Sequence, residues 1–157
     1  LALRELSGKL TAIPPSGSTT FARETSLARA HTERRKSDAI LTTLPTILAD
    51  RPQFTVRHVP DHGGKTRFIS VVTSHPELVP ERWIYSVEQN EMQVLIHKTF
   101  DEAMTDLGVR GALRCLVEAG PTFSKYLEAE NFFDEQLLII HTQIEDFIFH
   151  KLNREKS

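Results

Sequence analysis

Short apolar runs of strand type alternate with helix-type segments along most of this 157-residue chain. Six runs have the composition of strands, several of them apolar enough to be buried: Asp38–Leu44, Arg67–Val72, Trp83–Val87, Gln93–Ile96, Leu113–Glu118 and Gln136–His141. Helix-type segments fall at Phe21–Lys36, Thr99–Leu107 and Phe123–Asn131, and Pro45–Asp50 is a turn of helix or a tight loop. This alternation predicts an α/β domain with three layers and a mostly parallel central sheet.

Local signals predict where the helices begin and end. Thr19 or Thr20 is available to cap the first helix. Thr99 and Glu102 have the spacing of a capping box, and Gly108 is expected to stop the helix that they open.

The last residues have a different pattern. Ile144, Phe147, Ile148 and Leu152 recur at helical spacing among charged residues. This pattern predicts a short amphipathic helix that packs on the sheet or on a partner chain. We therefore divide the single domain, residues 1–157, into a core over 1–143 and a tail over 144–157.

Composition excludes several classes of function. The net charge of -2 gives no overall attraction to nucleic acid or to an anionic membrane, and no apolar run is long enough to span a bilayer. Cys115 is the only cysteine, so the chain cannot build a disulfide framework or a cysteine-ligated metal site. We expect a cytoplasmic protein in which Cys115, inside an apolar strand, is a buried and inert thiol.

The segment Leu116–Thr122 is the strongest candidate for a ligand site. A strand that ends at Gly120 and feeds a helix leaves unpaired backbone N–H groups at the helix N-terminus, where phosphate binds well. Thr122 adds a hydroxyl group, and Glu118 falls at the carboxyl end of the strand, where ligands of parallel sheets bind. The same pattern also fits an ordinary strand–helix turn. The Gly-x-Gly-x-x-Gly motif of the standard dinucleotide fold is absent.

Basic residues form a second candidate site. Arginines crowd the end of the first helix, and Arg57 closes the segment Gln53–Arg57, so Arg34 and Arg57 could clamp a phosphorylated substrate from two directions. Cations also favour helix C-termini for electrostatic reasons alone, and both interpretations stay open. His58 and His62 lie in a polar loop with Asp61 between them, and we expect no metal site there because no third ligand is near.

Two blocks of sequence resemble a known family. Ser37–Leu41 followed by Pro45–Arg57 is similar to the signature of the riboflavin-biosynthesis pyrimidine reductases, in which Ser-Asp-Ala-Ile-Leu precedes Gly-Thr-Val-Leu-Ala-Asp-Asp-Pro and a Leu-Thr-Val-Arg ending. Leu116–Thr122, with Leu127–Ala129 and Asp134–Glu135, resembles the second block of the same family. The resemblance runs from near Leu1 to about Ile144 and includes the reductase domain of the bifunctional deaminase/reductases.

The resemblance implies a dihydrofolate-reductase-like fold and hydride transfer from NADPH. The family substrate is 5-amino-6-(5-phosphoribosylamino)uracil, whose ribose is opened and reduced to a ribityl chain. By matched position, the implied cofactor contacts are Thr20, Thr46, Asp50, Ser74, Gly120, Pro121, Thr122, Phe123, Ser124, Lys125 and Tyr126. The implied substrate contacts are Ser18, Arg34, Phe54, Arg57 and Glu118. The family also implies a homodimer, while the resemblance names no general acid.

This chain departs from the family pattern at several positions. Ser7 replaces an aspartate, Pro45 replaces a glycine, Arg51 replaces the second acid of Ala-Asp-Asp-Pro, and Thr73 replaces an aspartate. Family members continue past the strand that matches 137–140 with further strands, so the resemblance implies a shortened C-terminal end. These departures leave a second hypothesis, a catalytically impaired homologue that acts as a nucleotide-binding or dimerisation domain.

Overall fold

The computed structural model describes residues 2–5, 10–11, 24–57, 59–141 and 146–153. The strands in these residues are β1 (Ala2–Glu5), β2 (Leu10–Thr11), β3 (Ala39–Thr43), β4 (Arg67–Val72), β5 (Met92–His97), β6 (Cys115–Val117), β7 (Glu135–His141) and β8 (Asp146–Leu152). The α-helices are α1 (Glu24–Lys36), α2 (Leu44–Asp50), α3 (Glu81–Glu88), α4 (Phe100–Val109) and α5 (Pro121–Ala129). The α/β class that the sequence predicts is confirmed.

The central sheet has the strand order β5-β4-β3-β6, and all of its strands are parallel. From β3 the chain moves outward through β4 and β5 on one side, and it then crosses to place β6 on the other side of β3. The strand order therefore reverses between β3 and β6, which is the position where ligands of open parallel sheets bind.

Helices cover both faces of this sheet. On one face Ile40, Ile69 and Val71 pack with residues of α2 and α3, and Trp83 is the largest side chain of that core. Side chains alternate between faces along a strand, so Ser70 points to the opposite face. There α4 covers the sheet, since Ser70 is linked through His97 to Asp106 of α4. The result is the three-layer arrangement that the alternation predicts.

The segment Trp83–Val87 is helical, and its prediction as a strand is wrong. It lies within α3, which begins after Pro80 and has Glu81 in its first turn. Trp83 and Val87 are buried one helical turn apart, while the residues between them face partly or fully outward. The high β-propensity of Trp, Ile, Tyr and Val was outweighed by this spacing, because tertiary burial routinely overrides intrinsic preference.

The tail is also a correction. Residues 146–152 form β8, a strand antiparallel to β7, and not an amphipathic helix. The continuous run Phe147–Phe149 favours a strand, and pairing with β7 gives its backbone a regular ladder of hydrogen bonds. Together with β1 and β2, these strands form a second four-stranded sheet, in the order β2-β1-β7-β8.

Helix α4 starts as predicted and ends later than predicted. The Thr99 side chain accepts a hydrogen bond from the Glu102 backbone N–H, 3.2 Å away. Gly108 does not stop the helix, which continues to Val109. Gly111 stops it, because its φ of 86° lets the Ala112 N–H reach back to the Leu107 carbonyl, 2.9 Å away. None of the described helices has the length and apolar character needed to cross a bilayer.

Candidate functional site at the carboxyl edge of the central sheet

Three neighbouring strands end side by side. The register pairs Thr43 of β3 with Val72 of β4, and Leu41 of β3 with Val117 of β6. Each strand then leads into a segment that holds predicted site residues: α2 after β3, Thr73 and Ser74 after β4, and Glu118 onward after β6. The fold therefore gathers residues from three distant parts of the sequence at one edge, next to the reversal between β3 and β6.

The start of α5 offers backbone donors to this edge. Gly120 is the N-cap with φ -66° and ψ 172°, no side chain caps the helix, and Pro121 follows in the first turn. The first intrahelical bond joins the Ser124 N–H to the Gly120 carbonyl at 3.1 Å, so helix geometry leaves the Thr122 and Phe123 amides without an intrahelical acceptor. Within the part of the chain that the structure describes, a Cβ atom on Gly120 would meet nothing within 4 Å. An anionic group can therefore approach these amides closely.

The predicted cofactor residues on α5 divide between its two faces. Pro121, Thr122 and Lys125 are exposed, and Tyr126 is 45 % exposed. The Phe123 ring instead lies in an aromatic cluster, with its centroid 6.3 Å from that of Phe100 and 5.8 Å from that of Tyr126. Half-buried Ser124 lines a partly open cavity of about 490 Å³ beside β6. Helical periodicity thus leaves Pro121 and Thr122 of the N-terminal turn, with Lys125 and Tyr126 one turn later, on the accessible face of the segment.

The other predicted cofactor residues lie after β3 and β4. Thr46, on the first turn of α2, has its Oγ1 3.3 Å from Oγ1 of Thr43. Asp50 ends the same helix, and partial burial raises the pKa of its carboxyl group. Ser74 is exposed directly after Thr73, whose hydroxyl accepts a hydrogen bond from the His75 N–H at 3.0 Å. The predictions for Ser18 and Thr20 lie outside the described residues.

Arg34 and Glu118, both predicted as substrate contacts, bind each other. Arg34 Nε donates to Glu118 Oε1 at 2.6 Å, and Arg34 Nη2 donates to Oε2 at 2.8 Å. Only 8 % of Arg34 and 7 % of Glu118 is exposed. Burial alone would raise the pKa of Glu118, but the charge and hydrogen bonds of Arg34 hold that pKa below its ordinary value. The pair ties α1 to the end of β6.

The segment between α2 and β4 packs against this ion pair through Phe54. The Phe54 ring is 1 % exposed, lies 5.7 Å below the Arg34 guanidinium and contacts Trp83 edge-to-face at 6.5 Å. Phe54 has a φ of 55°, an unfavourable backbone conformation for a bulky residue. Burial of the ring and the 2.8 Å hydrogen bond from Trp83 Nε1 to the Pro52 carbonyl hold that conformation in place.

Two side chains of α1 hold the next residues of the same segment. Arg34 Nη1 donates to the Thr55 carbonyl at 3.1 Å, and the Arg57 N–H donates to His31 Nδ1 at 3.0 Å. Arg57 is exposed, and its guanidinium forms no hydrogen bond or ion pair within the described residues. The fold thus brings Arg34, Phe54, Arg57 and Glu118 together. The sequence interpretation missed His31, although its i,i+3 spacing from Arg34 places both on one helix face.

A serine–histidine–aspartate chain was also missed. Ser70 Oγ lies 2.8 Å from His97 Nδ1, and His97 Nε2 lies 2.9 Å from Asp106 Oδ2. Ser70 is 0 % exposed, so no substrate can reach its hydroxyl group. The chain of contacts connects α4 to β4 and β5, and we assign it to the scaffold.

Within the described residues, no cluster of three or more His, Cys, Asp or Glu side chains is arranged to hold a metal ion. In the polar loop, Asp61 is engaged with Arg67, at 2.7 Å from Nη2 and 2.9 Å from Nη1. Cys115 is half-buried, and burial raises the pKa of its thiol to about 12. The thiol therefore stays protonated and unreactive at neutral pH.

Comparisons with known proteins identify the family. Two solved structures of Acinetobacter baumannii RibD, described as form 1 and form 2, match with TM-scores of 0.55 and 0.59 at 22 % and 19 % sequence identity. Each match covers 88 % of this chain but only 44 % and 43 % of RibD, so the chain spans less than half of that protein. The likeness shows the dihydrofolate-reductase-like fold, and no curated protein sequence matches significantly. The family model described as the RibD C-terminal domain matches residues 6–144, and the chain belongs to that family.

Proposed function

We propose that the chain is an NADPH-dependent pyrimidine reductase of riboflavin biosynthesis. In this reaction 5-amino-6-(5-phosphoribosylamino)uracil is reduced to its ribitylamino form, so that one hydride and one proton are added to the opened ribose. The observation that carries the proposal is the uncapped start of α5, which lies at the strand-order reversal of a RibD C-terminal domain. The metabolic setting would be the cytoplasm, in keeping with the single cysteine.

The cofactor side of the proposed site is the part of the carboxyl edge around the start of α5. The amides of Thr122 and Phe123 and the positive end of the α5 dipole suit the phosphates of a dinucleotide. Thr46, Asp50 and Ser74 lie on the neighbouring segments and would contact the rest of the molecule. NADPH, when bound, supplies the hydride, and the protein contributes binding, orientation and electrostatics.

The substrate side is formed by the segment that α1 holds. Arg57 has an exposed guanidinium suited to a bidentate contact with the substrate phosphate. Arg34, Phe54 and Glu118 form the rigid wall behind it. Binding the phosphate at a fixed distance from α5 would orient the ribose carbon toward the cofactor, and such positioning lowers the barrier substantially.

Two measurements test this function. NADPH at about 100 times its dissociation constant is expected to stabilise the fold by roughly 2.7 kcal/mol, which a melting experiment detects. Addition of the phosphoribosylaminouracil is then expected to start oxidation of NADPH, which is measured as the loss of NADPH absorbance. Absence of any NADPH-dependent stabilisation would contradict the proposal.

A second candidate function is a catalytically impaired homologue that binds a nucleotide or serves as a dimerisation domain. The ion pair of Arg34 with Glu118 favours it, because the bidentate face of Arg34 is already occupied and is not free for phosphate. Pro45 and Arg51, at the start and the end of α2, differ from the family signature and point the same way. The two functions separate cleanly: NADPH binding without substrate-dependent oxidation supports the second and contradicts the first.

We also propose that the protein is a homodimer that pairs through β8. Phe147, Ile148, Phe149 and Leu152 are each more than 40 % exposed, and within the described residues β8 pairs on one side only. Two-fold antiparallel pairing centred on Ile148 would place Phe147 opposite the partner's Phe149. Exposed edges of this kind readily pair with a second chain. Sedimentation analysis is expected to show a dimer that Ile148→Lys converts to monomer.

A further inference from the structure

We infer that His31 is a positioning residue that holds Arg57 in place for the phosphate of the substrate. The inference rests on the proposed function, because it gives His31 a role in ligand binding through another residue. His31 lies in the middle of α1, is 4 % exposed and matches none of the site positions that the sequence indicated.

The geometry begins with the spacing of His31 and Arg34 on α1. Residues three apart on a helix lie on the same face, one turn from each other. Arg34 donates to the carbonyl of Thr55 at 3.1 Å, and His31 accepts from the N–H of Arg57 at 3.0 Å. Two side chains on one face of α1 therefore bind two backbone groups of the segment between α2 and β4, the carbonyl of Thr55 and the N–H of Arg57.

That segment needs to be held. It contains two residues other than glycine in the left-handed region, Arg51 with φ 45° and Phe54 with φ 55°. Conformations of this type are unfavourable for residues with a side chain and persist only where surrounding contacts enforce them. The hydrogen bonds from Trp83 to Pro52 and from Arg34 to Thr55 fix the beginning and middle of the segment, while the bond to His31 fixes its end at Arg57.

The hydrogen bond also determines the form of the histidine. A backbone N–H can only donate, so Nδ1 of His31 must carry no proton and act as the acceptor. Losing this acceptor would leave the end of the segment at Arg57 without its anchor. The exposed Arg57 side chain would then sample more directions, and ordering it on binding would cost more entropy.

Two variants separate this role from a general contribution to packing. His31→Leu removes the acceptor and keeps an apolar side chain of similar size. His31→Asn keeps a shorter acceptor, because the amide Oδ1 can occupy nearly the position of Nδ1. We expect hydrogen exchange of the Arg57 amide to accelerate about tenfold in His31→Leu and to return toward the wild-type rate in His31→Asn.

Binding of ribose 5-phosphate, measured by calorimetry on the full chain, gives the functional test. We expect the dissociation constant to rise about threefold to fivefold in His31→Leu, with little change for NADPH. In the Arg57→Ala background the same substitution is expected to have no further effect, because the two residues act as one unit.

The possible failures are distinguishable. If wild-type protein binds neither ribose 5-phosphate nor NADPH, the proposed function is wrong. If wild type binds both, but His31→Leu leaves the Arg57 amide exchange unchanged or its effect adds fully to that of Arg57→Ala, the positioning role is wrong. A His31→Asn variant that folds like wild type but shows the full loss of His31→Leu also contradicts the inference.

Discussion

The two halves of the carboxyl edge are built in opposite ways. At the end of α1, Arg34 and Glu118 satisfy each other in a buried bidentate pair. Two residues after Glu118, Gly120 opens α5, where no described side chain caps the helix and no described atom occupies the space of a Cβ. The same turn of chain therefore joins a closed, charge-paired corner to an open set of backbone donors.

This difference indicates which part is support and which part is available to a ligand. Burying two charges costs desolvation energy, which their attraction and hydrogen bonds have to offset, so the pair is stable only while both members are present. The amides at the start of α5 can be satisfied by water or by an anion, and the protein itself leaves them uncapped. We therefore expect damage to the closed half to reduce stability and damage to the open half to reduce binding.

The largest effect is expected from breaking the ion pair. Arg34→Met leaves the Glu118 carboxylate buried without its partner, which should cost about 3–5 kcal/mol of unfolding free energy. Urea denaturation measures this cost. The double variant Arg34→Met/Glu118→Leu is the control and should recover much of the loss, because no unpaired charge stays buried. Equal destabilisation in both variants would show that packing, and not charge pairing, holds the corner.

The ion pair of Arg34 and Glu118 should also make the unfolding free energy depend on pH. The pKa of Glu118 is below its ordinary value in the folded state, owing mainly to Arg34, so the unfolded chain binds a proton more readily. This stabilisation is fully present above the unfolded pKa of a glutamate and is lost as the pH falls through the folded pKa. The unfolding free energy of wild type should therefore drop more steeply in acid than that of Arg34→Met/Glu118→Leu. Parallel pH profiles would contradict the pairing.

The open half is tested by capping it. Gly120→Asp places a carboxylate at the N-cap, where it can accept from the free amides and stabilise α5 by up to about 1 kcal/mol. The same carboxylate occupies and repels the phosphate position, so the NADPH dissociation constant should rise at least about 30-fold, or about 2 kcal/mol. Unaltered NADPH affinity in a folded Gly120→Asp protein would place the cofactor elsewhere.

A matched control lies at another helix start. Thr99 caps α4 through its hydroxyl group after β5, which lies two strands from β3 and three from β6 in the central sheet. Thr99→Ala should cost about 1 kcal/mol of stability and leave NADPH affinity unchanged. Gly120→Asp should therefore weaken NADPH binding without loss of stability, whereas Thr99→Ala should reduce stability without weakening NADPH binding.

The smallest expected effect concerns Arg57. Its guanidinium is exposed, so Arg57→Ala should change the unfolding free energy by less than about 0.5 kcal/mol. Ribose 5-phosphate should nevertheless bind about tenfold more weakly, as measured by calorimetry, because a charge-assisted contact is removed. Arg82→Ala, an exposed arginine on α3, is the control and should alter neither quantity. Equal affinity of both variants for ribose 5-phosphate would show that Arg57 does not contact the phosphate.

The sequence predicts the central sheet well because local pattern and burial agree there. The run Arg67–Val72 is β-rich and forms β4 over the same residues. At Trp83 the local preference for a strand conflicts with helical spacing, and only the packing of Trp83 and Val87 in the core decides the outcome. The tail fails for the opposite reason, since helical spacing was present but pairing with β7 determined the structure.

For the candidate site, the sequence predicts residues but not the partners that they contact in the fold. Arg34 and Glu118 were each predicted to contact a ligand, and they are 84 positions apart in the chain. Nothing in a local pattern indicates that two such residues neutralise each other, because their contact depends on the crossing of β6 to the far side of β3. Gly120 and Pro121 were easier to interpret, since a helix start is a local feature.

The central claim is that the amides opening α5 bind the phosphates of NADPH. The most direct test is a titration of isotope-labelled protein with NADPH, in which the backbone amide resonances are followed by NMR. We expect the largest shifts at Gly120, Thr122 and Phe123, saturating with the dissociation constant obtained from melting. Saturable binding that leaves these three amides unmoved, with shifts confined to another part of the chain, would contradict the claim.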